Sequence, residues 1–189
     1  MKEVASINIL CLGNWNKRIF TPKWVSENLF ELDQDQQIHG IVNTDEMEFG
    51  YTHKDVLLLP KDNVLEIKIE KINKDSKEFS GVLLNRIINL LPHTPIKAIG
   101  INIRYSFTKD ESYHLVKTLN QIKCKLNNFE TNQVKFSKSN NNCKLNIITD
   151  ISETTFLVNF NFHYKSLNEF DENIVNIKIA ETKKIIGNE

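Results

Sequence analysis

The sequence has no long apolar run and no excess of charge of either sign. Its 189 residues include 24 basic and 24 acidic side chains, so no overall charge attracts it to nucleic acid or to an anionic membrane. No stretch reaches the roughly 18 apolar residues of a membrane span, and the apolar run before Gly13 is too short for the core of a signal peptide. These absences predict a cytoplasmic protein without a membrane partner.

Cysteine and glycine are scarce, and the histidines are scattered. The three cysteines, Cys11, Cys124 and Cys143, lack metal-ligand spacing, which favours buried thiols in a reducing compartment. Six glycines form no phosphate-binding loop, and five histidines follow no HExxH-type spacing. We therefore predict no catalytic residue, no metal site and no cofactor. A small hydrolase or metal-dependent enzyme stays the third alternative.

Alternating apolar residues predict strands, and their order with the helices predicts an α+β fold. Strands are expected at 7–12, 37–43, 47–53, 54–60, 65–70, 99–107, 130–137, 143–149 and 155–164. Helices are expected at 21–32, 75–91, 108–126 and 167–186. Thr108 with Glu111 has the form of a capping box that opens the third helix. The last helix is expected to bury Phe170, Ile174, Ile177 and Ala180.

Similar features recur in the two halves of the chain in the same order. Ile7-Asn8-Ile9 recurs as Ile101-Asn102-Ile103, 94 residues later, and residues 65–79 align without a gap with 156–170, 91 residues later. Such repeats indicate a duplicated unit, with Pro92 near the boundary between 1–92 and 93–189. The alternative is that alternating strands followed by amphipathic helices resemble one another by chance.

A doubled unit of strand, helix, antiparallel strands and long helix resembles the TATA-box-binding protein and its fold relatives. Asn8 and Asn102 carry the resemblance best, because each lies in the first strand of its half and faces away from the expected core. The resemblance implies two pseudo-symmetric halves, each an antiparallel sheet backed by a long helix, joined into one curved, saddle-like sheet. It also implies asparagines that reach base edges in the minor groove. Here, however, the chain is neutral, and Glu66 and Glu70 lie on the expected open face.

Two surfaces are candidates for binding. The open sheet face is expected to present Asn8, Asn102, Arg104, Asn159, Asn161 and His163. The loop after the first strand concentrates Trp15, Lys17, Arg18, Phe20 and Trp24, residue types that are common at protein interfaces. The alternative for the loop is an aromatic cluster that packs it against the following helix.

The predicted function is that of a non-catalytic interaction module. Its partner is expected to be another protein or a second copy of the chain, bound through the open face, an exposed edge strand or the loop. The alternative is a nucleic-acid-binding protein that uses the concave sheet face.

Overall fold

The computed structural model describes residues 2–33, 38–43, 48–122, 131–140, 142–165 and 170–187. Its described strands are β1 (Ser6–Gly13), β2 (His39–Asn43), β3 (Glu48–His53), β4 (Val56–Pro60), β5 (Val64–Ile69), β6 (Ile96–Thr108), β7 (Gln133–Ser139), β8 (Cys143–Ile151) and β9 (Thr155–Tyr164). The helices are α1 (Pro22–Trp24), continued by a π-helical turn (Val25–Phe30), α2 (Lys74–Leu90), α3 (His114–Gln121) and α4 (Ile174–Ile186). The fold is α+β, as predicted. The predictions for Cys124 and Leu126 lie outside the described residues.

β1 and β6 lie side by side at the centre of a single open antiparallel sheet. Its strand order is β2-β3-β4-β5-β1-β6-β9-β8-β7. β1 and β6 are antiparallel neighbours, and Asn8 lies directly opposite Asn102. The first strand within 1–92 therefore pairs with the first strand within 93–189. Duplication, pseudo-symmetry and saddle curvature stay predictions.

One face of this sheet is packed against the helices. The fully buried strand residues, such as Ile9, Ile67, Ile101 and Phe160, point to that face and share one apolar core with residues of α2, α3 and α4. α2 packs on β4 and β5, and α4 packs on β6 and against α2. The long polar side chains of the alternate positions are half-buried or exposed. An antiparallel sheet tolerates this arrangement because its second face can be solvated.

The third helix begins later than its capping signal predicts. The Glu111 carboxylate does accept a hydrogen bond from the Thr108 N–H, at 3.0 Å, yet α3 starts at His114. The reason is that Thr108 still pairs with Thr155 in the sheet, so the chain must turn before it can form a helix. The same carboxylate also forms an ion pair with Lys2, with Lys2 Nζ 2.6 Å from Glu111 Oε1.

The buried face of α4 also differs from the prediction. Phe170 is buried but precedes the helix, while Ile177 is 44% exposed and Ala180 is exposed. Val175, Ile179, Thr182 and Ile186 point inward instead. Thr182 can occupy a core position because its hydroxyl lies 2.7 Å from the buried Tyr105 hydroxyl, and a hydrophobic pattern cannot register such a polar pair.

The strand register does not accommodate both repeat offsets, 94 and 91 residues, at once. Ile9 pairs with Ile67, whereas Ile103, 94 residues after Ile9, pairs with Phe160. An offset of 91 would place Val158 there. A two-residue slip keeps every side chain on its own face, so the two offsets agree on the faces and differ by one pleat in register.

Gly81 sets the distance between α2 and the segment that leads into α4. A Cβ atom at Gly81 would lie 1.9 Å from the Glu172 carbonyl oxygen. We expect Gly81→Ala to lower the free energy of unfolding by about 2 kcal/mol, although alanine is the better helix former by about 1 kcal/mol. Urea unfolding followed by circular dichroism measures this difference.

The matched control is Gly40→Ala, where the nearest atom to the new Cβ would be 4.0 Å away. This control should change the unfolding free energy by less than about 0.5 kcal/mol. If Gly81→Ala stabilised the protein as helix propensity alone predicts, the close packing of α2 on the α4 segment would be wrong.

Candidate binding surface on the open sheet face

A row of asparagines crosses the open face at the centre of the sheet. Asn8, Asn102, Asn161 and Asn146 lie opposite one another on β1, β6, β9 and β8, and we call them the amide row. Asn161 Nδ2 donates to Asn102 Oδ1 at 2.8 Å, and Asn146 Nδ2 donates to Asn161 Oδ1 at 3.3 Å. Ser137 Oγ extends the row by donating to Asn146 Oδ1 at 2.9 Å. The amides are therefore held in a fixed orientation.

Strand geometry produces this row. Directly opposed residues have Cβ atoms about 5 Å apart, which suits a hydrogen bond between two asparagine side chains. Gly100 leaves room beside them, because a Cβ atom there would meet Asn161 Nδ2 at 3.3 Å. Asn8 has a different partner and donates to Glu66 Oε1 at 3.0 Å.

A depression of about 450 Å³ lies between β5, β1, β6 and β9. Its lining includes Asn8, Leu10, Leu59, Glu66, Lys68, Asn102, Arg104 and Asn159. Asn159 Oδ1 is buried and accepts no hydrogen bond within the described part of the chain. A buried acceptor without a donor is costly in free energy.

The structure brings the six candidates of the open face onto one surface. Asn8, Asn102, Arg104 and Asn159 line the depression. Asn161 is hydrogen-bonded to Asn102, and His163 lies in the next row, opposite Gly100 and Lys144. Their role in binding stays a prediction.

Ser137 and Leu59 were not among the candidates, although they extend the amide row and the depression. Only strand order and register connect them to the other residues, and neither can be read from local sequence patterns.

The aromatic loop does not form the exposed surface that was predicted. Trp15 and Phe20 are each only 4% exposed, and Trp15 Nε1 donates to the Cys11 carbonyl at 2.8 Å. Phe20 makes edge contacts with both Trp15 and Trp24. These aromatic rings pack the loop against the core, so Trp15 and Phe20 are corrected to core residues. Lys17 and Arg18 remain exposed, and Trp24 is half-buried.

One edge of the sheet exposes apolar side chains. Ile41 and Val42 on the outer strand β2 are 41% and 60% exposed, and Phe49 on β3 is 58% exposed. Val42 and Phe49 lie opposite each other. Exposed edge strands can pair with another chain, so this edge keeps self-association among the predicted modes of binding.

The titratable groups with clear pKa shifts belong mainly to the packed face. Burial raises the pKa of the Cys11 thiol to about 12, so this thiol stays protonated. Burial, followed by the charge of Lys54, lowers the pKa of His53, which stacks on Phe30 at 5.3 Å. Burial also raises the pKa of Tyr105. These groups act in packing.

Histidine, cysteine and carboxylate side chains do not gather in threes as metal ligands anywhere in the described ranges. Neither His114 nor His163 has a side-chain hydrogen bond to a carboxylate of a described residue. No described helix combines the length and the apolar character that are needed to cross a membrane.

Comparison of the chain with protein-family models and with curated proteins gives no match.

Proposed function

We propose that this chain is a non-catalytic interaction module whose partner protein binds on the open sheet face. The observation that supports this most strongly is the amide row, in which hydrogen bonds orient asparagines from neighbouring strands. Pre-oriented side chains lose little conformational entropy when a partner binds. The row therefore suits recognition of an extended polar segment.

The chemistry of the row favours recognition over catalysis. Carboxamides donate and accept hydrogen bonds, but they do not act as acids or bases near neutral pH. Leu10 and Leu59 border the polar groups in the depression, and Leu157 on the same face is 39% exposed. A mixture of apolar contacts and hydrogen-bonding groups is typical of protein interfaces.

Nucleic acid is the second candidate ligand. It is favoured by the position of Asn8 opposite Asn102 at the centre of the sheet, where the resemblance implies base-reading asparagines. Glu66 and Glu70 on the same face would repel phosphate. Salt-dependent retention on DNA that is lost in Asn102→Ala or Arg104→Glu would support this candidate over a protein partner.

Site-specific photocrosslinking in cells tests the proposal. A benzophenone amino acid at Lys144, an exposed position on the open face, should give one discrete protein adduct. The same amino acid at Lys138, exposed on β7 but opposite the core-facing Leu145, should give none. The adduct is identified by mass spectrometry, and the purified partner is then titrated against the wild type and Asn161→Arg.

We expect Asn161→Arg to weaken binding by at least about tenfold, because the large cation disrupts the amide row and covers its surface. Circular dichroism melting verifies that the variant is folded. Equal crosslinking from both positions, or unchanged affinity in folded Asn161→Arg, would contradict docking on the open face.

A further inference from the structure

Building on the proposed function, we propose that the segment that docks on the open face is acidic, and that its carboxylates pair with Arg104 and Lys135. Arg104, Asn159, Ile148 and Lys135 lie opposite one another across β6, β9, β8 and β7. We call these four residues the basic row. The row runs beside the amide row, one pleat away on the same face.

Four cations of this face lack an ion-pair partner among the described residues. Arg104, Lys68, Lys135 and Lys144 make no ion pair or side-chain hydrogen bond within the described ranges. Three described carboxylates of this face accept hydrogen bonds from neutral side chains and keep their charge: Glu66 from Asn8, Glu70 from Thr52 and Asp150 from Gln133. Arg104 and Lys135 therefore offer positive charge without a counter-ion among the described residues, which is complementary to carboxylates of a ligand.

The spacing of the basic row suggests a pattern for the ligand. Arg104 and Lys135 are three strands apart, which is about 14 Å at the usual distance between neighbouring strands. An extended peptide advances about 3.3 Å per residue, so carboxylates about four residues apart would reach both cations. A guanidinium binds a carboxylate through two parallel hydrogen bonds, which makes Arg104 the stronger of the two contacts.

The two middle residues of the basic row fit the backbone and apolar side chains of such a peptide. Asn159 is half-buried, and its carboxamide can hydrogen-bond to a peptide backbone. Ile148 and the nearby Leu157 offer apolar contact beside it. A nucleic acid carries a charge on every nucleotide and would also bring phosphates against Glu66 and Glu70, whereas a peptide with two carboxylates about four residues apart can place its charges at Arg104 and Lys135 alone. The observations therefore favour an acidic peptide.

Selection from a displayed library of random 12-residue peptides tests this inference. The baits are the wild type, the double variant Arg104→Glu/Lys135→Glu and the control Lys138→Glu. Lys138 is exposed on the same strand as Lys135 but belongs to the opposite face. The wild type and Lys138→Glu should select peptides rich in Asp and Glu with acidic pairs about four residues apart, and the double variant should not.

Affinities of the best selected peptide give the quantitative result. Fluorescence anisotropy should show at least about tenfold weaker binding to Arg104→Glu/Lys135→Glu and less than about twofold change for Lys138→Glu. A neutral variant, Arg104→Gln/Lys135→Gln, should lose less affinity than the charge reversal. Circular dichroism melting confirms that each variant is folded.

The outcomes separate this inference from the proposed function. Peptides that lose affinity for Asn161→Arg but show no acidic enrichment would overturn the acidic ligand and leave docking on the open face intact. Peptides that bind the wild type and Asn161→Arg equally would contradict both. A library without binders, or tighter binding to a 20-base-pair DNA duplex than to any acidic peptide, would overturn the inference.

Discussion

Phe160→Ala should lower the free energy of unfolding by about 3–5 kcal/mol, whereas Asn161→Ala at the next position should cost about 1 kcal/mol. Phe160 is fully buried between Ile103 and Ile147 on the neighbouring strands. Its ring also makes an edge contact with Tyr105, with centroids 5.8 Å apart. Truncation to alanine removes these contacts and leaves a cavity that a close-packed core fills only in part.

Asn161 is the matched control because it belongs to the same strand and points to the other face. The substitution Asn161→Ala removes hydrogen bonds to Asn102 and Asn146. Those two amides are only half-buried, so water can replace the lost partner. Urea unfolding of the purified variants measures both losses. If Phe160→Ala fails to fold, Phe160→Leu removes less volume and should fall between the two.

Equal losses at Phe160 and Asn161 would mean that both faces of β9 are packed to the same extent. That result would contradict the division of the sheet into one covered and one open face.

The faces of the strand side chains could be predicted from the sequence. Successive side chains of a strand point to opposite faces of the sheet. When the side chains of one face are apolar and those of the other are polar, the pattern therefore indicates that the apolar side chains are buried. β9 follows this rule closely: its predicted and observed limits agree, and Phe156, Val158, Phe160 and Phe162 all face the core. The polar face of the sheet was therefore correctly assigned to Asn8, Asn102 and their neighbours.

Register and helix limits could not be predicted in the same way. A slip of two residues leaves every side chain on its own face, which is why the alignment of Ile67 with Val158 looked consistent. The start of α3 depended on competition between a local capping signal at Thr108 and the pairing of Thr108 with Thr155. Local sequence patterns carry no information about such long-range contacts.

The site was predictable in composition but not in arrangement. The sequence places amides on strands, yet the amide row exists only because register aligns Asn102 with Asn161 and Asn161 with Asn146. The aromatic loop illustrates the opposite error. Its composition fits either an interface or a core, and only the contact between Trp15 Nε1 and the Cys11 carbonyl distinguishes them.

The two edges of the sheet differ in how they discourage pairing with other chains. β7 carries Lys135 and Lys138, one on each face of the strand, and lysine on an edge strand opposes aggregation. The described part of β2 contains Ile41 and Val42 but no lysine. If the chain self-associates, the β2 edge is the expected point of contact, separate from the open face.

The most direct test of the account is the reactivity of thiols introduced at two adjacent positions of β9. Leu157 is 39% exposed on the open face, whereas Val158 is fully buried on the packed face. A thiol in the core reacts only when the structure opens. Its reaction rate is therefore lowered in proportion to the population of the open state, which the free energy of opening determines. The reaction with a maleimide reagent is followed by peptide mass spectrometry, which separates these thiols from the native cysteines and uses the buried Cys11 as an internal reference.

The account predicts that the thiol of Leu157→Cys reacts at least about 100-fold faster than that of Val158→Cys in the native protein. It also predicts that the two react at similar rates in urea. Protection of the Leu157→Cys thiol equal to that of Val158→Cys would mean that the open face is covered, and that neither a partner protein nor an acidic peptide could reach it.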